Sequence, residues 1–319
     1  MRRSYLAQLS GAVIGQAMTF RRIVVRRIVA PGIVVPGVVV PIVCTLALAS
    51  ALLAFQKPFR QFISMEPYDN IPLPPDWQEK TEWVFARLMY PQNPEARFGG
   101  GRYRRWGQVL DWHAGGTSWT QDYPRADRHF AQALRRLTRV SVRSVEQPVN
   151  PDETDDFFNW PWLNAGEMGD WKLTEAQART IREYLLRGGF LMLDDFWGPD
   201  EYARFEDSMK MIFPNRPVVD IDNKDPIFHT VYNLDDRYQV LGEWALGNRG
   251  YGGMSRRAAG TVAHWMGVYD DKNRLMVMIS FNSDIGDSWE WADDPRYPEK
   301  MAGLGIRIGI DYVIYAMTH

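Results

Sequence analysis

Apolar positions recur at helical spacing downstream of Asp122, where Phe130, Leu134 and Leu137 share a face and Pro124 suits a first turn. Val140 and Val142 then alternate with polar residues as in a strand, and residues 157–163 read as a second strand. Thr174 and Gln177 form a capping box that opens a helix closing at Arg187, with Gly188-Gly189 as its stop. The apolar run 190–193 ends in Asp194-Asp195, and Pro199 starts another helix. This β-α-β-α order predicts an α/β fold with a mainly parallel sheet covered on both faces. Residues 267–269 and 275–280 flank a turn at 270–273, a hairpin signature. The stretch 301–317 is apolar nearly all round, with Gly305 and Gly309 spaced for close packing. Its shortness and its Arg307 and Asp311 make it a buried helix rather than a membrane span.

Upstream, the pattern changes. No acidic residue precedes Glu66, whereas arginines stand at Arg2, Arg3, Arg21, Arg22, Arg26 and Arg27, and residues 28–55 carry no charge. A basic stretch ahead of an apolar run is the pattern of an export signal or anchor, with the N-terminus held in the cytoplasm. Pro31, Pro36 and Pro41 leave about fourteen uninterrupted residues, and Ala49-Ser50-Ala51 offers a cleavage site; a cleaved signal and a retained anchor both stay open. Four prolines between Met65 and Trp77 read as an extended linker, followed by a short amphipathic helix over 79–90. The expected organisation is therefore a signal or anchor segment over 1–56, linker and short helix over 57–96, and an α/β domain over 97–319.

Composition narrows the chemistry. The formal net charge of −2 implies no broad basic surface, so nucleic acid is not an expected partner. Thirteen tryptophans indicate a large aromatic core. The one cysteine, Cys44, lies in the apolar N-terminal run, so the folded part has no thiol for disulfides, thiolate metal sites or nucleophilic attack. There is no GxSxG elbow, no P-loop and no GxGxxG fingerprint.

Several separated runs resemble one bacterial family, domain of unknown function 4159, over roughly residues 97–319. They are Asp122-Tyr123-Pro124-Arg125-Ala126-Asp127, the run 187–196, Phe213-Pro214, Pro226-Ile227-Phe228-His229, the run 282–290, and the ending 315–319. The family is similar to class I glutamine amidotransferase domains. The resemblance implies a flavodoxin-like three-layer sandwich and no specific activity. The family often has His before Pro-Ile-Phe, and here that position is Asp225. A class I amidotransferase reaction needs a thiolate, which this domain lacks.

The candidate ligand-binding residues are Asp194, Asp195, Phe196, His229, Asp284 and Arg102. Asp194 and Asp195 fall at the carboxyl end of a strand before a helix, where α/β sheets present ligand groups. They suit a general acid or base, a metal ligand or a hydroxyl binder; alternatively, one caps the following helix and the other pairs with an arginine. Asp284, Asp287 and Glu290 have i, i+3, i+6 spacing with Asp293 and Asp294 close behind, and hard oxygens at short spacing suit calcium. An EF-hand order is absent, and a solvated, helix-starting acidic face is the expectation. No pair among His113, His129, His229, His264 and His319 has zinc-motif spacing. Arg102, Arg104 and Arg105 interleave with Tyr103 and Trp106, as at an anion site or a charged strand edge. Phe157, Phe158, Trp160 and Trp162 suit either a sugar-stacking shelf or a buried strand.

The expected function is a non-catalytic, amidotransferase-like domain of the cell envelope that binds a small molecule or an envelope protein, without cofactor or metal. The rivals are an envelope hydrolase on carbohydrate or ester using Asp194 or Asp195, and a structural subunit of an envelope complex.

Overall fold

Near-continuous apolar runs bounded by turns, such as Phe190–Leu193 and Leu275–Phe281, become strands buried on both faces, and among the described residues seven strands pair into one sheet. The computed structural model describes residues 57–66, 68, 71–95, 111–246 and 257–319. The signal or anchor segment, Cys44, the triple glycine at 99–101 and Arg102, Arg104 and Arg105 lie outside the described residues. Among the described residues no helix is long and apolar enough to cross a membrane.

The strands are β1 (Ala86–Leu88), β2 (Gln147–Val149), β3 (Trp162–Ala165), β4 (Phe190–Leu193), β5 (Val219–Asp220), β6 (His264–Tyr269) and β7 (Leu275–Phe281). Their spatial order is β2-β1-β3-β4-β7-β6-β5. The pairs linking β2, β1, β3, β4 and β7 are parallel, while β6 runs antiparallel to β7 and β5 to β6. The hairpin expected around 270–273 is thus present as β6–β7. The sheet is mixed α/β and mostly parallel.

The principal helices are α1 (Arg125–Leu137), α2 (Glu175–Leu186), α3 (Gly198–Ile212), α4 (Ile285–Glu290) and α5 (Glu299–Thr318). On one face of the sheet, Phe130 and Leu134 of α1 and Leu304 and Ile308 of α5 pack on Phe85, Trp162, Met192 and Met278. On the other, Ile181 and Leu185 of α2 and Phe205 and Met209 of α3 pack on Leu163, Leu191, Leu193 and Val277. Strand alternation produces this division, since Phe190 and Met192 face one layer while Leu191 and Leu193 face the other. The close packing anticipated for the glycines of α5 is real. A Cβ on Gly305 would meet Ser288 Oγ at 1.8 Å, and one on Gly309 would meet Phe130 Cε2 at 2.5 Å.

Three expectations are corrected. The segment 79–90 is not a helix: it carries β1, which lies between β2 and β3, so the sheet draws on residues assigned to the linker. Its apolar run is short and continuous because both faces are covered, and such a run imitates one side of a helix. Val142 makes only an isolated bridge to Trp83, and the strand there is β2. Residues 154–157 form a helical turn, so the next strand begins only at Trp162. Phe157, Trp160 and Trp162 are at most 2% exposed, which makes them core rather than a stacking shelf.

Candidate functional site

Parallel strands deliver their following loops to one edge of the sheet, and the acids gather there. Asp194 and Asp195 follow β4, and Asp284, Asp287 and Glu290 follow β7 on α4. Glu66 and Asp122 join them from segments before β1 and before α1. One carboxylate oxygen from each of Glu66, Asp122 and Glu290 lies within 4.8 Å of the others, and the same holds for Asp122, Asp284 and Asp287. Asp122 belongs to both triads.

These acids are not a solvated face. Asp122, Asp284, Asp287 and Glu290 are 6%, 1%, 4% and 0% exposed, and Glu66 is half-buried. The expectation failed because helical spacing says which acids share a face, not which way the face points; here it turns into the sheet edge. Burial pushes all five carboxyls up, with the neighbouring acids adding to it. Asp122, Asp284 and Asp287 rise well above the usual carboxylate range and Glu290 rises to about 7. None of the five forms an ion pair with a described cation. A buried group of this size must be neutralised by protons or by a bound positive charge.

The scaffold around Asp122 is explicit. Arg87 of β1, buried and paired with Asp127 at 2.9 Å, donates to the carbonyls of Trp119 (3.3 Å) and Gln121 (3.1 Å) and so anchors the preceding loop. The Asp122 N–H donates to Glu66 Oε2 at 3.1 Å. Its φ of +60° puts a non-glycine residue in the left-handed region, as does φ at Asp195 (+50°) and Asn282 (+57°) on the same edge. Each costs on the order of 1 kcal/mol, and such strain collects at functional sites. Tyr68 bridges Glu66 and Glu290 through its hydroxyl, 2.5 Å from Glu290 Oε1. Asp284 caps α4 by accepting from the Asp287 N–H (2.8 Å) and also accepts from Trp244 Nε1 (3.0 Å); Asp287 accepts from the Glu243 N–H (2.6 Å). Beyond Tyr68 opens a cleft of about 370 Å³, lined also by Arg125, Arg128, His129, Gln132 and Asp293.

Asp194 and Asp195 are committed to other partners. Asp194 Oδ2 accepts from the N–H groups of Ile285 (2.8 Å) and Gly286 (2.9 Å), capping α4 rather than the helix that follows it in sequence. That helix, α3, is closed instead by Glu201, which accepts from the Trp197 N–H at 2.8 Å. Burial, then Asp195, raise the Asp194 carboxyl to about 7. Asp195 accepts from Trp197 Nε1 (2.7 Å) and pairs with Arg257 (3.4 Å), which also binds Glu167 (2.7 Å) and Glu201 (2.8 Å).

Phe196 is fully buried, with Phe205 and Phe281 at ring distances of 4.7 and 4.9 Å. His229 stands at the other end of the sheet. It follows a turn whose Asp225 accepts from Tyr269, and Tyr269 pairs with Leu275 at the start of β7, whereas Asp284 follows that strand's end. Seven strand residues separate the two by about 20 Å at roughly 3.3 Å each. The structure therefore brings Asp194, Asp195 and Asp284 to one edge without His229, and Arg102 lies outside the described residues.

Glu66, Tyr68 and Asp122 were not singled out from the sequence. Asp122 had one visible signal, the Asp-Tyr-Pro run at the head of α1; Glu66 and Tyr68 had none beyond their place among prolines. A family model described as Domain of unknown function (DUF4159) matches residues 109–317. No curated protein matches the chain.

Proposed function

Because the chain belongs to the family described as Domain of unknown function (DUF4159), we propose that it is a ligand-binding domain of the cell envelope, amidotransferase-like in architecture but without catalysis. The parallel strands in the order β2-β1-β3-β4-β7 support the flavodoxin-like reading, since such doubly wound sheets run 2-1-3-4-5 and bind ligands outside their carboxyl ends. The basic and then apolar sequence ahead of residue 57 supports export or tethering, with a small molecule or an envelope protein as partner.

One observation carries binding over chemistry. At the ligand edge of the sheet five carboxylates meet without a described cation, while no thiol occurs in the domain and His229, a candidate ligand-binding residue, lies about 20 Å away along β7. A general base must stand within hydrogen-bond reach of the proton it takes. One feature favours a second reading, an envelope hydrolase on carbohydrate or ester: burial and then Asp195 push the Asp194 carboxyl up to about 7, where a general acid works.

Native mass spectrometry of the full-length chain, beside assays with fluorogenic esters and glycosides, separates the two. Binding predicts a retained ligand in the wild type, its loss in Asp122→Asn, and no turnover. Turnover abolished by Asp194→Asn would establish the hydrolase and overturn the binding reading.

A further inference from the structure

We infer that the carboxylate cluster is a site for hard divalent cations of the calcium and magnesium class, with Asp122 as its shared ligand. Asp284 and Asp287 complete one side, and Glu66 and Glu290 the other. This rests on the reading of the cluster as the binding site and names the chemistry of what it binds.

The geometry comes first. Oxygens on a calcium ion stand at roughly 2.4 Å, so opposite ligands are about 4.8 Å apart. Within each triad the three carboxylate oxygens lie inside that span. The span fits an ion at the centre of either triad, and Asp122, common to both, is placed to bridge them.

The hydrogen bonding supplies a separate argument. Asp122 is 6% exposed and belongs to both triads. Glu290 is fully buried, and its Oε2 has no hydrogen-bond partner. Buried carboxylate oxygens are ordinarily satisfied. The other members accept from nearby donors: Asp284 from Trp244 and the Asp287 N–H, Asp287 from the Glu243 N–H, and Glu66 from Gln121 at 2.6 Å and the Asp122 N–H. The unmet acceptor is thus Glu290 Oε2, in the triad that Glu290 forms with Glu66 and Asp122.

The donor set indicates which ions. All five ligands are carboxylates, which suit calcium or magnesium rather than a soft metal. The neighbouring imidazole, His129, has Nδ1 against the carbonyls of Trp289 (3.1 Å) and Glu290 (3.0 Å). A cleft lies beside Tyr68, whose hydroxyl contacts Glu66 and Glu290.

Calorimetric titration of the chelator-stripped, full-length chain with calcium or magnesium chloride tests the inference. The wild type should take up ions saturably below roughly 1 mM, the weak end of protein calcium sites. Asp122→Asn should weaken uptake at least tenfold, as should Glu66→Gln if the first variant does not fold. Asp235→Asn, whose carboxylate lies 3.8 Å from His229 at the opposite end of the sheet, should leave it unchanged. A wild type that binds neither ion overturns the inference, as does equal loss in Asp235→Asn. If neither ion binds while native mass spectrometry still finds an organic ligand lost in Asp122→Asn, the cation inference falls and the ligand-binding reading stands.

Discussion

Asp122 and Gly286 compete for the same space: a Cβ at residue 286 would come within 2.3 Å of Asp122 Oδ2. The glycine lets the first turn of α4 close on the carboxylate, while its own N–H donates to Asp194. Two long-range contacts therefore meet on a residue with no side chain.

Gly286→Ala keeps the backbone donor but forces Asp122 aside. Overpacking of this kind costs about 1–3 kcal/mol. Chemical denaturation should show that loss, and titration with calcium should show weakened uptake. Unchanged stability and uptake would mean that the carboxylate has room to move.

Asp194→Asn should alter the pH dependence of stability. The folded state holds this carboxyl at about 7, against about 3.9 in the unfolded chain. Its contribution is complete below about pH 4 and is lost as pH rises to about 7, where the buried group ionises. Asparagine accepts the same two backbone N–H groups without ionising. The variant should therefore gain on the wild type by up to about 1.4 kcal/mol per pH unit between 4 and 7, then stay level. Denaturation curves across that range check it, and a constant difference would contradict the raised carboxyl.

Arg257→Met should strand Glu167, Asp195 and Glu201 around an apolar side chain. Asp195 and Glu167 are 3% and 2% exposed and Glu201 is 8% exposed. Removing one partner of a buried ion-pair network costs about 3–5 kcal/mol. The loss should appear as a lower denaturation midpoint.

Thr174→Ala should cost about 1 kcal/mol. The hydroxyl accepts from the Gln177 N–H at 3.2 Å and Gln177 Oε1 accepts from the Thr174 N–H at 2.9 Å, so one substitution breaks a reciprocal cap. Thermal unfolding of variant and wild type measures it.

The parts of this fold that were legible in the sequence share a physical basis. The capping box at Thr174, the run Phe190–Leu193, the proline opening α3 and the hairpin from β6 to β7 are all written in residues a few positions apart. The strand β1 was misread because two-sided burial erases the alternation that marks a strand. The placement of Asp194 and Asp195 at the sheet edge followed from strand order, but their partners did not. Asp194 caps a helix ninety positions away, and Asp195 answers an arginine about sixty positions away.

The helix caps, the hairpin, the mainly parallel sheet and the lack of thiols after Cys44 were readable from the chain, because caps, periodicity and residue type act over short range. That Glu66, Asp122 and the acids at α4 form one buried group emerged from the packed fold alone. Burial and charge proximity depend on which segments the sheet brings together, and no spacing along the chain records that.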